Sequence, residues 1–182
     1  MRIIGGKYSK RIIKPPKNLP VRPTTDLAKE SLFNILNHKT TFEQQAVLDL
    51  FAGTGNLTYE FASRDCSPVV AVDLNFKCIQ FIKQTIKEFG MDEVKPVRSD
   101  AFRFLKNCKT SFDIIFADPP YDLENIEEIS KAVFKNELLN PAGWMVVEHP
   151  KEVDLSKQPF FSEHRKYGHV NFSLFHFNPN KA

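Results

Sequence analysis

The segment Phe112-Asp113-Ile114-Ile115-Phe116-Ala117 runs directly into Asp118-Pro119-Pro120-Tyr121. Each proline gives up a backbone donor and fixes φ, so the pair holds Asp118 and the Pro119 carbonyl in a rigid acceptor geometry. A planar amine would donate its two hydrogens to those two acceptors, and Tyr121 would stack on the ring that bears the amine, as aromatics do with extruded bases. The plain alternative is a Pro-Pro turn. Three further segments carry polar residues at comparable places. Asp49-Leu50-Phe51-Ala52-Gly53-Thr54-Gly55 is a GxG loop, in which the glycines allow close backbone approach and positive φ. It lacks the third glycine of a GxGxxG fingerprint and is followed by no GK[ST], which argues against a P-loop. Asp49 beside it would neutralise a cationic ligand. Asp73, 20 residues after Gly53, is placed to accept both hydroxyls of a ribose, or to cap the helix after Leu74-Asn75. Asp100, in Ser99-Asp100-Ala101, would accept from an adenine amino group or cap the next helix. Phe76 and Phe102 are candidate walls for such a ring.

These residues need elements to position them. Ala46 to Phe51, Val69 to Asp73, Val94 to Arg98, Phe112 to Ala117 and Gly143 to Glu148 read as strands. Between them, helical stripes run over 56–63, over Ile79, Ile82, Ile86 and Phe89 up to Gly90, over 101–108, and over Ile126, Ile129 and Val133. Continuous apolar strands separated by amphipathic helices imply a parallel sheet covered on both faces, a doubly wound α/β fold. The four polar segments then fall at carboxyl ends of strands, where such sheets bind ligands. Arg165 to Phe177 reads as two more strands. Ahead of the sheet, Arg2 to Tyr8 and Arg11 to Ile13 predict a hairpin around Gly5-Gly6. Thr24, Thr25 and Asp26 then offer cap chemistry for a helix with a stripe of Ala28, Leu32, Ile35 and Leu36.

The 182 residues suit one domain, and 42% hydrophobic residues support a real core. No run reaches the roughly 20 apolar residues of a membrane span, and residues 1–5 lack a signal-peptide stretch. Three cysteines without a CxxC pair fit a reducing cytosol, hence a cytoplasmic protein; the five dispersed histidines suggest no metal. The net charge of +3 divides unevenly. Arg2, Lys7, Lys10, Arg11, Lys14, Lys17 and Arg22 give residues 1–25 a charge of +7 with no acid, which leaves −4 for the rest. That asymmetry points to a polyanionic partner, with a merely solubilising tail as the alternative.

At these residues the chain resembles the class I S-adenosylmethionine-dependent methyltransferases. Asp118-Pro119-Pro120-Tyr121 is similar to the [DNS]PP[YFW] motif of enzymes that methylate exocyclic or amide nitrogens. Arg2-Ile3-Ile4-Gly5-Gly6-Lys7-Tyr8, Arg22-Pro23-Thr24-Thr25-Asp26, Glu30 to Leu36, Asp49 to Gly55 and Tyr167-Gly168 extend the likeness over essentially the whole chain to the RsmD-like family, which methylates the N2 amine of a guanine in 16S ribosomal RNA. The resemblance implies a Rossmann-like seven-stranded sheet of order 3-2-1-4-5-7-6 with the last strand antiparallel. It implies one methyltransferase domain over 1–182, with residues 1–22 as a basic β-hairpin arm. It further implies S-adenosylmethionine held by Asp49, Phe51, Ala52, Gly53, Thr54, Gly55, Asp73, Leu74, Asp100, Ala101 and Asp118, with catalysis by Asp118, Pro119, Pro120 and Tyr121. The RNA, within small-subunit particles, would meet Arg2, Lys7, Lys10, Arg11 and Arg22 of a monomer. Asn56 departs from the small or apolar residue expected after the loop. A DNA adenine methyltransferase would share the DPPY motif but needs a target-recognition region that this length hardly accommodates. A small-molecule methyltransferase leaves the basic arm unexplained, and a non-catalytic ribosome-assembly factor has no need of an intact motif.

Overall fold

In the computed structural model, which describes residues 1–16, 19 and 26–178, the strands and helices alternate as the periodicity predicts. Helix α1 (Asp26–Asn37) precedes β1 (Val47–Leu50), α2 (Asn56–Ser63), β2 (Val69–Asp73), α3 (Phe76–Phe89), β3 (Val94–Arg98), α4 (Ala101–Asn107), β4 (Phe112–Ala117), α5 (Glu127–Lys135), β5 (Leu139–His149), β6 (Phe161–Tyr167) and β7 (Val170–His176). The seven strands form one sheet in the order β3-β2-β1-β4-β5-β7-β6. β7 runs antiparallel to both neighbours and the other pairings are parallel, so β6 points the same way as β5. This is the sheet that the resemblance implied.

Local chemistry accounts for the boundaries. Asn75 caps α3 by accepting from the amides of Lys77 and Cys78, and Gly90 ends it at φ 65°. Pro96 sits in β3, an edge strand, where its missing donor costs no ladder bond. The opposite edge, β6, carries Glu163, His164, Arg165 and Lys166, a charged margin that discourages pairing with a second chain. One core lies between the sheet and α1–α3, and includes Leu36, Phe61, Ile82, Phe116 and Val146. The other lies under α4 and α5, with Leu48, Leu105, Ile115, Ile129 and Val147.

One expectation needs correction. β5 begins at Leu139 rather than Gly143, because the chain pairs Phe112 with Leu139 and then shifts register before Ile114 meets Trp144. Pro141-Ala142-Gly143 looks like a turn in sequence, but it is an irregularity within the strand, with Ala142 at φ 64°. The amino-terminal segment folds back on itself as predicted, with Arg2 bridged antiparallel to Ile12 and the Ile3 and Ile13 amides donating to the Arg11 and Met1 carbonyls. It packs on the body, where Ile3 and Ile13 are buried in the core beside α1 and α2. Thr24 and Thr25, the expected caps of α1, lie outside the described residues, as do Lys17 and Arg22.

Candidate active site

Side chains alternate faces along a strand, so residues two apart share a face. Ala71, Val47, Phe116 and Val146 all point into the core shared with α1–α3. Asp73, Asp49, Asp118 and Glu148, each an even number of positions further on, therefore share that face. They stand on β2, β1, after β4 and on β5, four adjacent strands, at or just beyond their carboxyl halves. The parallel register sets Asp49 beside Ala71 and Phe116, and aligns Ala117 with Val147, so Asp118 and Glu148 are the next pair outward.

The loop between β1 and α2 is wound by alternating left-handed residues: Phe51 at φ 61°, Gly53 at 55° and Gly55 at 79°. At Gly55 a Cβ would fall 2.8 Å from the Tyr59 ring, so only glycine fits there. Asp73 anchors this loop. One carboxylate oxygen accepts the Gly53 amide at 2.8 Å, and the other accepts the Asn75 amide at 2.7 Å. Asp73 is thus not the cap of α3, a task that Asn75 performs. Gly55 precedes α2 without a capping side chain, so no side chain at the cap position covers the first amides of that helix.

Asp49 is 2% exposed and accepts from the Thr58 hydroxyl. Burial, with the charges of Asp118 and Asp73 added, pushes its carboxyl up to about 7. A cationic ligand would select the ionised form. Its affinity should therefore fall about tenfold per pH unit below 7 and level off above, as titration calorimetry between pH 5.5 and 8.5 would show. Asp49→Asn should flatten that profile. A profile equally steep in the variant would assign the titration to another group.

Asp118 follows β4 with its amide directed at the Leu50 carbonyl, 3.4 Å away, which ties the motif to the first strand. Burial raises its carboxyl above the ordinary range. Pro119 is buried, Pro120 exposed, and Tyr121 is 45% exposed with its hydroxyl donating to Glu148 at 3.3 Å. Glu148 is 5% exposed, and its second oxygen, Oε2, is buried without a hydrogen-bond partner among the described residues. Burial and the Asp118 charge raise Glu148 as well. Sequence reading missed this fourth acid. Its signal was a lone carboxylate closing the apolar run Trp144 to Val147, the same pattern that marks Asp49, Asp73 and Asp118.

Asp100 caps α4 by accepting from the Arg103 amide at 2.9 Å. With Leu74 and Ser99 it also lines a cleft of about 650 Å³ on the β3 edge. Phe102 packs into the α4–α5 core, whereas Phe76 is 51% exposed beneath the Arg98 guanidinium. Neither candidate wall lines that cleft, to which Phe104 contributes a ring instead.

The basic segment is distributed differently from a free arm. Arg2 lies near Asp26 and Glu30, and Lys7 bonds Asp65 at 3.1 Å and Glu93 at 3.0 Å. Asp65 and Glu93 precede β2 and β3, so Lys7 sits at the end of the sheet opposite Asp118. Lys10 and Arg11 are exposed, with Arg11 over the Tyr8 and Phe89 rings. A second basic group occupies the carboxyl end: Arg165, Lys166 and His169 are exposed at the β6–β7 turn, where Asn171 pairs with both Lys166 and His149.

Residues 1–176 match the model of the family described as Conserved hypothetical protein 95. Ribosomal RNA small subunit methyltransferase D of Escherichia coli strain K12 is 31% identical over 178 residues, 96% of this chain and 89% of that one. The Bacillus subtilis strain 168 protein YlbH is 36% identical, with 85% of each chain covered. Among solved structures, that of Escherichia coli yhhF superposes with a TM-score of 0.85 at 28% identity, covering 98% of both chains. The matched family, the sheet order and the intact loop and DPPY segments agree, and the chain belongs to the RsmD-like methyltransferases, the Conserved hypothetical protein 95 family.

Proposed function

We propose that the chain transfers the methyl group of S-adenosylmethionine to the exocyclic N2 amine of a guanine in 16S ribosomal RNA of the small subunit. The observation that carries this reading is the rigid acceptor pair of Asp118 and the Pro119 carbonyl, set one strand from the glycine loop, in a chain whose relatives include a small-subunit rRNA methyltransferase. The residues suit the cofactor. The loop is closed to any side chain at Gly55, Asp73 already shapes the same loop, and the buried Asp49 carboxylate suits a cation. Leu74, Asp100 and Ala101 border the adjoining cleft or its helix, where the adenosine end would lie.

When bound, S-adenosylmethionine supplies an electrophilic sulfonium methyl group and leaves as S-adenosylhomocysteine. The chain supplies geometry and charge. The N2 lone pair of guanine is delocalised into the ring. By accepting the two amine hydrogens, Asp118 and the Pro119 carbonyl favour localisation of that pair on nitrogen, directed along the line of attack. As the nitrogen–carbon bond forms, the nitrogen becomes cationic and Asp118 takes the proton that it sheds. Tyr121 holds the ring by stacking. Lys10 and Arg11 on the amino-terminal segment, with Arg165 and Lys166 on the β6–β7 turn, contact phosphates; Lys7 is committed to Asp65 and Glu93.

Incubation with labelled cofactor and, separately, small-subunit particles, naked 16S rRNA and duplex DNA should yield N2-methylguanosine from rRNA, identified by nucleoside mass spectrometry. Label in DNA adenine, in a small molecule, or nowhere would replace this reading by one of its rivals. In the same preparations, Ala at Lys10 and Arg11, or at Arg165 and Lys166, should each reduce the salt dependence of RNA binding by about one per lost phosphate contact. An unchanged slope removes that segment from the interface.

A further inference from the structure

We propose that Glu148 is a specificity-determining residue of this site, its Oε2 accepting the N1–H of the target guanine beside the Asp118 that accepts from N2. The inference rests on the guanine reading above. Guanine presents three donors in a row along one edge: N1–H and the two N2 hydrogens. The chain places two carboxylates, Asp118 and Glu148, at the next step of the register between neighbouring strands, and the Pro119 carbonyl follows Asp118 in the chain.

Three observations single out Glu148. Its side chain shares the face of Asp118 at the next step of the β4–β5 register. It is 95% removed from solvent, yet Oε2 has no hydrogen-bond partner among the described residues. A buried carboxylate oxygen left unpaired is costly, and beside Asp118 in the site a donor on the entering base would complete it. Its other oxygen accepts from Tyr121, through a 3.3 Å contact to a half-exposed ring. Tyr121 leaves Glu148 as it stacks on the entering base, and N1–H takes the donor's place.

The arrangement discriminates by the sense of one hydrogen bond. Adenine and 2-aminopurine each carry an acceptor at N1, which would face the carboxylate lone pairs unpaired. Sites built around one hydrogen bond reject analogues that lack its partner by large factors. The groups facing Glu148 are Asp118 and Tyr121, and its β7 neighbour is Phe172. Burial and the Asp118 charge favour a proton on free Glu148, and the protonated carboxyl can donate to an acceptor at N1, whereas the ionised one only accepts. Preference for guanine therefore strengthens as pH rises.

The test begins with wild-type protein and small-subunit rRNA, the methylated position being located by mass spectrometry of nuclease fragments. RNA fragments are then synthesised with guanine, 2-aminopurine or adenine at that position. Wild-type protein should methylate guanine at least about a hundredfold faster than 2-aminopurine, although both offer the N2 amine. Glu148→Gln, whose amide presents either a donor or an acceptor, should bring the two within about tenfold and remove the pH dependence of the ratio. Its cofactor affinity, measured calorimetrically, should match wild type. Equal rates on guanine and 2-aminopurine by wild type, or an unchanged ratio in Glu148→Gln, would overturn the role of Glu148 while leaving guanine methylation intact. Methyl transfer to another base or group in the first step would instead remove the guanine reading, and this inference with it.

Discussion

Asp118→Ala should lower methyl transfer by about 10³-fold or more while the protein still binds S-adenosylmethionine. The size follows from two losses at one atom. The carboxylate is the charged acceptor that localises the amine lone pair, and it is the base within reach of the proton that nitrogen must shed. Asp118→Asn separates them: its amide oxygen still accepts a hydrogen bond but takes no proton at neutral pH. Asn should therefore recover part of the loss, about tenfold above Ala, in single-turnover rates. Cofactor affinity should change far less, because the glycine loop is anchored by Asp73 and not by Asp118. Removing the Asp118 charge also relieves the burden on Asp49, so the pH profile of cofactor binding should shift toward lower pH. Full activity in Asp118→Ala would end the proposed mechanism. An inactive variant that also fails to bind cofactor would assign Asp118 to the cofactor instead.

The carboxyl-end acids were legible because each interrupts a continuous apolar run at the point where a strand gives way to a loop. Asp49, Asp73 and Asp118 stand out on that ground alone, and the sheet order then makes them neighbours. Glu148 obeys the same rule, but it is followed by His149-Pro150 without a recognisable loop motif, and pairing with β4 and β7 is what gives it meaning. The destination of the basic segment was not legible. Composition shows +7 in residues 1–25, but ion pairs between Lys7 and acids near residues 65 and 93 depend on packing across long sequence separations. α1 offers an intermediate case. The stripe Ala28, Leu32, Ile35 and Leu36 was visible, yet Lys29, Phe33 and Leu36 are also related by helical spacing, which places a lysine on an apolar face. That lysine is fully buried. A charged residue on the inward side of a helical stripe is itself a signal of a buried partner.

The partner is Glu60, and Glu60→Ala should destabilise the fold by about 3–5 kcal/mol, measured by urea unfolding at neutral pH. Both Lys29 and Glu60 are fully buried, 3.6 Å apart, and burial lowers the pKa of Lys29. The Glu60 carboxylate accepts the amides of Ile4 and Gly5, each at 2.8 Å, and bonds Arg64 at 2.9 Å. Its removal leaves a buried ammonium without its counter-charge and two amides without acceptors. Lys29→Met is the milder change, since Glu60 keeps three donors and the new side chain fills the space; its loss should stay below about 2 kcal/mol. The asymmetry is the diagnostic: equal losses in the two variants would mean that the ion pair, and not the amide clamp, carries the energy. The consequence reaches the site. Lys29 also donates to the Arg2 carbonyl and to Asn56, the first residue of α2 after the glycine loop, and Met1 lies against Thr54 within that loop. The amino-terminal segment is thereby part of the support of the cofactor loop. In Glu60→Ala, trypsin should cut at Lys7 and Lys10 under conditions that spare wild type, and cofactor affinity should fall together with that protection. Lost stability with unchanged cofactor affinity would show that the segment and the loop fold independently. The proposed coupling requires Asn56, at the loop's exit, to act as the polar link between them.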